Sequence, residues 1–119
     1  MKRPVLILAL FAALFVLAST ASAATPGQDN ARRKAADYLE YSAFSRSGLI
    51  HQLKFEGFTT GQATYGVTAL HVNWSRQAVL KAKEYLKMTA FSRSGLIRQL
   101  RFEGFTLGQA TYGVNRTGL

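Results

Sequence analysis

FSRSGLIHQLKFEGFTTGQATYGV, at residues 44–67, defines the architecture because it returns 47 residues later as FSRSGLIRQLRFEGFTLGQATYGV, at residues 91–114. The two stretches are identical at 21 of 24 positions and differ only at the pairs His51/Arg98, Lys54/Arg101 and Thr60/Leu107. Self-similarity at a fixed period indicates one supersecondary unit that is used twice. The sequence therefore predicts two tandem copies of one small module.

The first helix of each copy is predicted from apolar or small residues at helical spacing. They are Ala35, Tyr38, Leu39, Ser42 and Ala43 in the first copy, and Ala82, Tyr85, Leu86, Thr89 and Ala90 in the second. This is the stripe of an amphipathic helix. We expect Asn73 to be the N-cap in the second copy, and Asp29 or Asn30 in the first.

Two further helices follow in each copy, separated by turn signals. Ser45 and Ser92 are the predicted N-caps of the second helix. Gly57 and Gly104 follow it where a left-handed C′ residue would end a helix. Thr59 with Gln62, and Thr106 with Gln109, have the capping-box spacing that opens a third helix, over 60–67 and 107–114.

Packing residues flank these turns. The aromatic residues Phe55 and Phe58, with Phe102 and Phe105, are expected to clamp the second and third helices together. Gly48 and Gly95 either allow a close approach of helices or weaken their own helix. Glu56 and Glu103 oppose the helix dipole, so we expect each carboxylate to accept a hydrogen bond from its own turn or from a nearby Arg or Tyr.

The predicted fold is all-α, with two tandem three-helix, helix-turn-helix-like repeats at 31–67 and 73–114 and a tail at 115–119. A copy of roughly 40 residues is near the size at which a lone core becomes marginal. The joint at 68–72 is short, so we expect the copies to pack together around one shared apolar interior. Two beads that move independently are the alternative.

Residues 1–23 have the three-part pattern of a secretory signal peptide. Basic Lys2 and Arg3 precede an apolar run at 5–18, and Ala21-Ser22-Ala23 offers a cleavage site. Such a run is short for a bilayer, which needs about 20 apolar residues, so cleavage is favoured over an uncleaved anchor. The chain is therefore predicted to be secreted or at the cell surface, with a linker at 24–30 after the signal.

The composition narrows the chemistry. The formal net charge is +9 and there is no cysteine, which excludes disulfides, thiolate metal sites and thiol catalysis. A basic exported protein tends to meet anionic partners. The candidate binding surface consists of basic side chains on the second helices: Arg46, His51, Lys54, Arg93, Arg98 and Arg101. A solvated helix face is the alternative interpretation, and Arg46 and Arg93 have a further one, as structural residues that pair with a carboxylate.

Catalysis and sequence-specific DNA binding are not expected. His51 is replaced by Arg98 in the other copy, His71 lies in the joint, and the carboxylates show no metal-ligand spacing. No nucleophile elbow, P-loop or dinucleotide fingerprint is present, so neither an enzyme nor a cofactor is predicted. The third helix would be the DNA reader, yet it contains no Lys or Arg. Nonspecific attraction to phosphates stays a weaker option.

The FSRSGLI elements at Phe44–Ile50 and Phe91–Ile97, with the EGF elements at Glu56–Phe58 and Glu103–Phe105, resemble the Ltp-type repeat of host cell surface-exposed lipoproteins. That family occurs in Gram-positive bacteria and their phages. The resemblance implies tandem helical units and superinfection exclusion, in which a prophage's surface protein blocks the passage of an incoming phage's DNA. Residues assigned to the structural motif are Phe44, Gly57, Phe58, Tyr65, Phe91, Gly104, Phe105 and Tyr112.

One departure from the family pattern concerns anchoring. Lipoproteins of the family carry a lipidated Cys just after the apolar segment, where this chain has Ala23 or Ala24. That favours secretion, or tethering by an uncleaved signal, over a lipid anchor. The function predicted is a non-enzymatic binding module that occupies a phage or host envelope component, with a protein partner of anionic character. A secreted protein that binds anionic wall polymer or membrane is the alternative.

Overall fold

The computed structural model describes residues 22–119, within which six helices follow one another along the chain. They are α1 (Pro26–Tyr41), α2 (Arg46–Phe55), α3 (Thr60–Ala69), α4 (Trp74–Met88), α5 (Arg93–Phe102) and α6 (Leu107–Asn115). Helices α1–α3 pack into one unit, repeat 1, and α4–α6 into a second, repeat 2. The predicted all-α fold of two three-helix units is confirmed.

The predicted signal sequence lies outside the described residues, apart from its last two positions. Within residues 22–119, no helix has both the length and the apolar character needed to cross a membrane.

Most helix starts are capped as the sequence predicts. The Ser45 and Ser92 hydroxyls accept hydrogen bonds from the backbone N–H of Gly48 and Gly95, and Asn73 caps α4. Both predicted capping boxes, which open α3 and α6, are present. Each cap satisfies an N–H group that has no partner inside its helix.

The predicted cap of α1 is wrong. The N-cap is Thr25, which forms a capping box with Gln28, and Pro26 occupies the first helical turn. Proline suits this position because its missing N–H would have had no helical partner. Asp29 instead lies inside the helix and pairs with Arg32 at 2.8 Å. Helix α1 therefore begins within the segment predicted as a linker.

The turns after α2 and α5 follow the prediction at glycine but not at every phenylalanine. Gly57 and Gly104 both have φ of +102°, a conformation that side-chain-bearing residues rarely adopt. Phe105 is buried in its core and Phe58 packs against the other. Phe55 and Phe102 are 84% and 87% exposed, so the prediction that they clamp the helices is wrong.

Each repeat has its own apolar core, and the predicted shared interior is wrong. The repeat 1 core is formed by Ala31, Ala35, Leu49, Leu53, Ala63 and Val67. The repeat 2 core is formed by Ala78, Ala82, Leu96, Leu100, Phe105, Ala110 and Val114. Trp74 at the start of α4 packs against the repeat 1 core. Apart from Trp74, the side chains that form each core and pack around it come from its own repeat.

Close helix contact in each core depends on one glycine. A Cβ atom on Gly66 would lie 2.6 Å from the Arg32 backbone N, and one on Gly113 would lie 2.7 Å from the Ala78 carbonyl carbon. Both distances are shorter than real Cβ contacts. The missing side chains therefore let α3 approach α1, and α6 approach α4, backbone to backbone.

The repeats meet through polar contacts. The Ser45 hydroxyl donates to the Glu103 carbonyl at 2.6 Å, and the Ser47 hydroxyl donates to the Gly104 carbonyl at 3.2 Å. Gly48 lies beside the same turn, since a Cβ there would be 3.3 Å from the Glu103 carbonyl oxygen. The loop before α2 is thus attached to the turn after α5.

Helix α4 completes this interface with two side chains. The backbone N–H of Ala43 donates to Glu84 Oε1 at 3.3 Å, and that of Phe44 donates to Gln77 Oε1 at 3.1 Å. These N–H groups lie between α1 and α2, where no helical carbonyl is available to them. The contact between repeats therefore combines these directed hydrogen bonds with the packing of Trp74 on the repeat 1 core, and a cleft of ≈ 230 Å³ remains beside it.

Candidate interaction surface

An aromatic residue flanked by basic side chains is exposed on the same helix of each repeat. Helix α2 presents His51, Lys54 and Phe55, and α5 presents Arg98, Arg101 and Phe102. All six are exposed, and the two phenylalanines are among the most exposed large apolar residues described. We call these six residues the basic–aromatic patch. It contains four of the six basic residues predicted for the binding surface.

Sequence reasoning missed the two phenylalanines although the helical period contains the signal. Phe55 lies two positions after buried Leu53, which places it about 200° around the helix from the core. It lies four positions after His51, on the same face as that residue. The aromatic character of Phe55 suggested burial, whereas its register on α2 indicates exposure.

The docking of the repeats brings the two halves of the patch together. His51 of α2 and Phe102 of α5 line one shallow cleft of ≈ 340 Å³, whose other lining residues belong to the inter-repeat contact: Ser47, Gly48, Glu103 and Gly104. One residue from each half of the basic–aromatic patch, His51 and Phe102, therefore borders the same cleft.

The remaining predicted basic residues, Arg46 and Arg93, are bound at the starts of their helices. Arg46 donates to the Thr68 hydroxyl at 3.0 Å, and Arg93 donates to the Leu119 carbonyl at 3.0 Å. Arg46 pairs with a hydroxyl and Arg93 with the main-chain oxygen of Leu119, and within residues 22–119 neither pairs with an Asp or Glu side chain. Both arginines connect the second helix of their repeat to the end of that repeat.

The two unusual glutamates each accept a hydrogen bond from a tyrosine, as predicted. The Tyr38 hydroxyl donates to Glu56 and the Tyr85 hydroxyl donates to Glu103. Gln52 and Gln99 donate to the same hydroxyls at 3.2 and 3.1 Å. This three-residue network recurs in both repeats and ties the first helix to the second.

The pKa of both tyrosines is raised in this environment. The hydrogen bond to Glu56 raises the pKa of Tyr38, while burial, followed by the hydrogen bond to Glu103, raises the pKa of Tyr85. Repeat 1 adds Lys34, whose Nζ is 3.9 Å from Glu56. In repeat 2, Glu103 Oε2 is buried with no hydrogen-bond partner among the described residues.

The residues of the predicted structural motif occupy different depths. Phe44 and Phe91 pack edge to face on Tyr38 and Tyr85, with ring centroids 5.6 and 5.5 Å apart. Tyr65 and Tyr112 are 38% and 41% exposed. The Arg116 guanidinium lies 5.0 Å from the centre of the Tyr112 ring, an arrangement that favours cation–π attraction.

The histidines are separated in the fold. His51 belongs to the patch, whereas His71 is exposed at the joint between α3 and α4, with φ of 48°. Within residues 22–119, no group of three His, Cys, Asp or Glu side chains comes together in a way that could hold a metal ion.

The duplicated module is similar to known proteins in both sequence and structure. The sequence profile of the host cell surface-exposed lipoprotein family, Ltp, matches residues 27–70 and again 73–116. The solved structure of Ltp, a superinfection exclusion protein from the Streptococcus thermophilus temperate phage TP-J34, is similar with a TM-score of 0.73 and 27% sequence identity. That similarity covers 78% of this chain and 97% of the other.

Among curated proteins, no relative matches this chain. The family profile nevertheless accounts for each repeat once and for most of the chain's length. The chain therefore belongs to the Ltp family of host cell surface-exposed lipoproteins, as a two-repeat member that contains no cysteine.

Proposed function

We propose that this protein excludes superinfecting phages by binding an anionic component of the injection machinery outside the host membrane, so that the incoming DNA does not pass into the cell. The observation that carries the proposal is the exposed basic–aromatic patch, which recurs on the second helix of both repeats. The similar solved structure is of a superinfection exclusion protein, and no chemical step is required of a protein that acts by occupying its partner.

The patch has the composition of a protein-binding surface. Phe55 and Phe102 supply apolar contact area, and Lys54 and Arg101 beside them supply positive charge. Exposed aromatic and arginine side chains are enriched where interfaces gain most of their binding energy. An acidic helical or extended protein segment would satisfy both components at once.

With the predicted export signal, the patch lies on the outer side of the membrane, from which phage DNA enters the cell. Without a cysteine to carry lipid, the protein is proposed to be secreted or held at the membrane by its uncleaved signal. Either form leaves both repeats outside the cell.

The test is phage challenge of cells that carry the wild-type protein or a patch variant. Replacing Phe55 and Phe102 with Ser, and Lys54 and Arg101 with Gln, removes apolar area and charge from both repeats. We expect plaque counts to return to those of cells without the gene, while phage adsorption is unchanged. Intracellular phage DNA, measured shortly after adsorption, should rise in parallel.

A matched control carries Tyr41→Ser and Arg33→Gln on α1. Tyr41 is 87% exposed and Arg33 is also exposed, so this variant loses aromatic area and charge outside the patch and should still exclude phage. Equal plaque counts for wild type and the patch variant would contradict the proposal. If the wild type also bound isolated cell envelopes through the patch, the alternative role in wall or membrane binding would be favoured.

A further inference from the structure

In the hydrogen-bonded contact between the two repeats, all the donors come from repeat 1 and all the acceptors from repeat 2. The segment Ala43–Ser47 of repeat 1, which runs from the loop into the first turn of α2, contributes donors, and we call it a loop face. The turn Glu103–Gly104 of repeat 2, with Gln77 and Glu84 of α4, contributes acceptors, and we call it a turn face. A contact between two different faces is heterologous.

Since the module is duplicated, each repeat has both faces, and the internal contact uses only one of each. The loop face of repeat 2 is Ala90–Ser94, with the same sequence, Ala-Phe-Ser-Arg-Ser, as Ala43–Ser47. Ala43 and Ser45 are 4% and 3% exposed, whereas their equivalents Ala90 and Ser92 are exposed. The second loop face is therefore accessible.

The turn face of repeat 1 is open as well. Gly57 and Gly104 share a φ of +102°, so the two turns have a similar backbone shape. A Cβ atom on Gly104 would lie 2.1 Å from the Ser47 hydroxyl oxygen, which occupies that turn. One on Gly57 would meet no atom of residues 22–119 within 4 Å.

The side-chain acceptors of the open turn face are also retained. Asn30 stands at the position of Gln77, and Asp37 at the position of Glu84, in the 47-residue alignment. The amide and the carboxylate are kept, and each side chain is one methylene shorter. Repeat 1 thus presents the same acceptor chemistry with a shorter reach.

We propose that the protein associates head to tail with a second copy of itself, the loop face of repeat 2 in one copy docking on the turn face of repeat 1 in the next. The internal contact is the template for this interface. A heterologous contact of this kind builds either a closed ring or an open row of copies. It is weaker than the internal contact because no linker raises the effective concentration, so it forms where the protein is concentrated. It does not depend on the proposed function.

Cysteine cross-linking tests the geometry directly. A Cβ on Gly104 would be 3.4 Å from Ser47 Cβ, close to the roughly 3.5–4.5 Å that a disulfide requires. The equivalent pair between copies is Gly57 and Ser94. Since the chain has no cysteine of its own, a mixture of Ser94→Cys and Gly57→Cys chains should give a mixed disulfide dimer under mild oxidation.

The matched control replaces Gly57→Cys with Gly118→Cys. Gly118 also has a positive φ, of +86°, and open space around it, so the strain and accessibility are comparable. We expect the Gly57 mixture to form mixed dimer several-fold faster than the Gly118 mixture. Equal rates, or predominance of Ser94–Ser94 dimers, would overturn the proposal.

A second test strengthens the interface and needs no strained cysteine. Asn30→Gln with Asp37→Glu makes the open turn face chemically identical to the occupied one. Sedimentation of the exported protein over a concentration series should show a several-fold lower dissociation constant than wild type. Asn115→Gln with Glu40→Asp is the control and should leave it unchanged. If the double variant is monomeric at every concentration at which the wild type is monomeric, the proposal is overturned.

Discussion

Repeat 1 and repeat 2 have almost the same sequence from the second helix onward, yet identical residues lie in different surroundings. Ser45 is 3% exposed and bonded to the other repeat, whereas Ser92 is exposed and only caps its own helix. Glu56 is exposed, whereas Glu103 is half-buried and one of its oxygens is enclosed. The difference shows that position in the pair, not residue identity, sets these environments.

Several features that form within one repeat recur in both copies. The serine caps, the capping boxes, the Gln–Tyr–Glu network and the glycine contacts all recur. Features that depend on the neighbouring repeat occur once. The comparison predicts equal effects in the two repeats where a residue and its surroundings both recur, as at Gly66 and Gly113. Where the surroundings differ, unequal effects are expected.

The largest effect is expected from Gly66→Ala or Gly113→Ala, which should act equally. Each added methyl group would collide with backbone of the facing helix, which cannot move as a flexible side chain can. We expect a loss of about 2–3 kcal/mol in the free energy of unfolding. Because the cores are separate, hydrogen exchange should accelerate mainly in α1–α3 for the first variant and in α4–α6 for the second.

Gly61→Ala and Gly108→Ala are the controls, since a Cβ at either position meets nothing within 4 Å. They should raise stability by roughly 0.5–1 kcal/mol because alanine favours a helix. Equal acceleration of exchange throughout residues 26–115 by Gly66→Ala would show that the two repeats unfold as one unit.

An unequal effect is expected from Ser45→Asp and Ser92→Asp. Aspartate still caps a helix, so the exposed Ser92 variant should change stability by less than about 0.5 kcal/mol. At Ser45 the carboxylate cannot donate to the Glu103 carbonyl and would be buried against it, which should cost about 2 kcal/mol. Thermal or denaturant unfolding measures both variants, and equal costs would show that the internal contact is absent in solution.

The smallest effects are expected from the tyrosine–glutamate networks, and they depend on pH. Tyr85→Phe removes one hydrogen bond and should lower stability by about 1 kcal/mol at pH 7. Tyr38→Phe should cost less because Glu56 is exposed and keeps Lys34 nearby. Loss of stability in neither variant would show that the networks do not hold the first two helices together.

The raised pKa of both tyrosines means that the folded protein holds these protons more tightly than the unfolded chain. The contribution to stability is complete below the unfolded pKa of about 10 and is lost as the pH rises through the higher folded pKa. The double Tyr→Phe variant should therefore lose less stability than wild type between about pH 9.5 and 11. Parallel stability curves for the two proteins over that interval would contradict this.

Much of the fold followed from local patterns. The predicted serine and threonine caps and the positive-φ glycines were predictable, because each depends on neighbours a few residues away. A tyrosine was only one of the partners predicted for Glu56 and Glu103, since each tyrosine lies 18 residues earlier, on another helix. The prediction of the α1 cap was wrong because it considered only residues close to the apolar stripe. Thr25 was overlooked as a cap because Pro26 and Gln28 precede the apolar stripe that marked the helix.

The candidate site was only partly predictable. The basic residues of α2 and α5 could be assigned to exposed faces from periodicity, but Phe55 and Phe102 were placed inside because of their apolar character. That His51 and Phe102 line one cleft could not be predicted, since it depends on how one repeat docks on the other.

The sequence alone determined the duplication, most helix boundaries and the chemistry of each repeat. It could do so because caps, turns and amphipathic stripes act over a few positions along the chain. Packing in three dimensions decided the separation into two cores, the single use of each loop and turn face, and the position of His51 and Phe102 on one cleft. Because the two repeats are nearly identical in sequence, the sequence does not show which of the equivalent serines, Ser45 or Ser92, will be buried. That asymmetry arises because a heterologous contact between two modules always leaves one face of each kind unused.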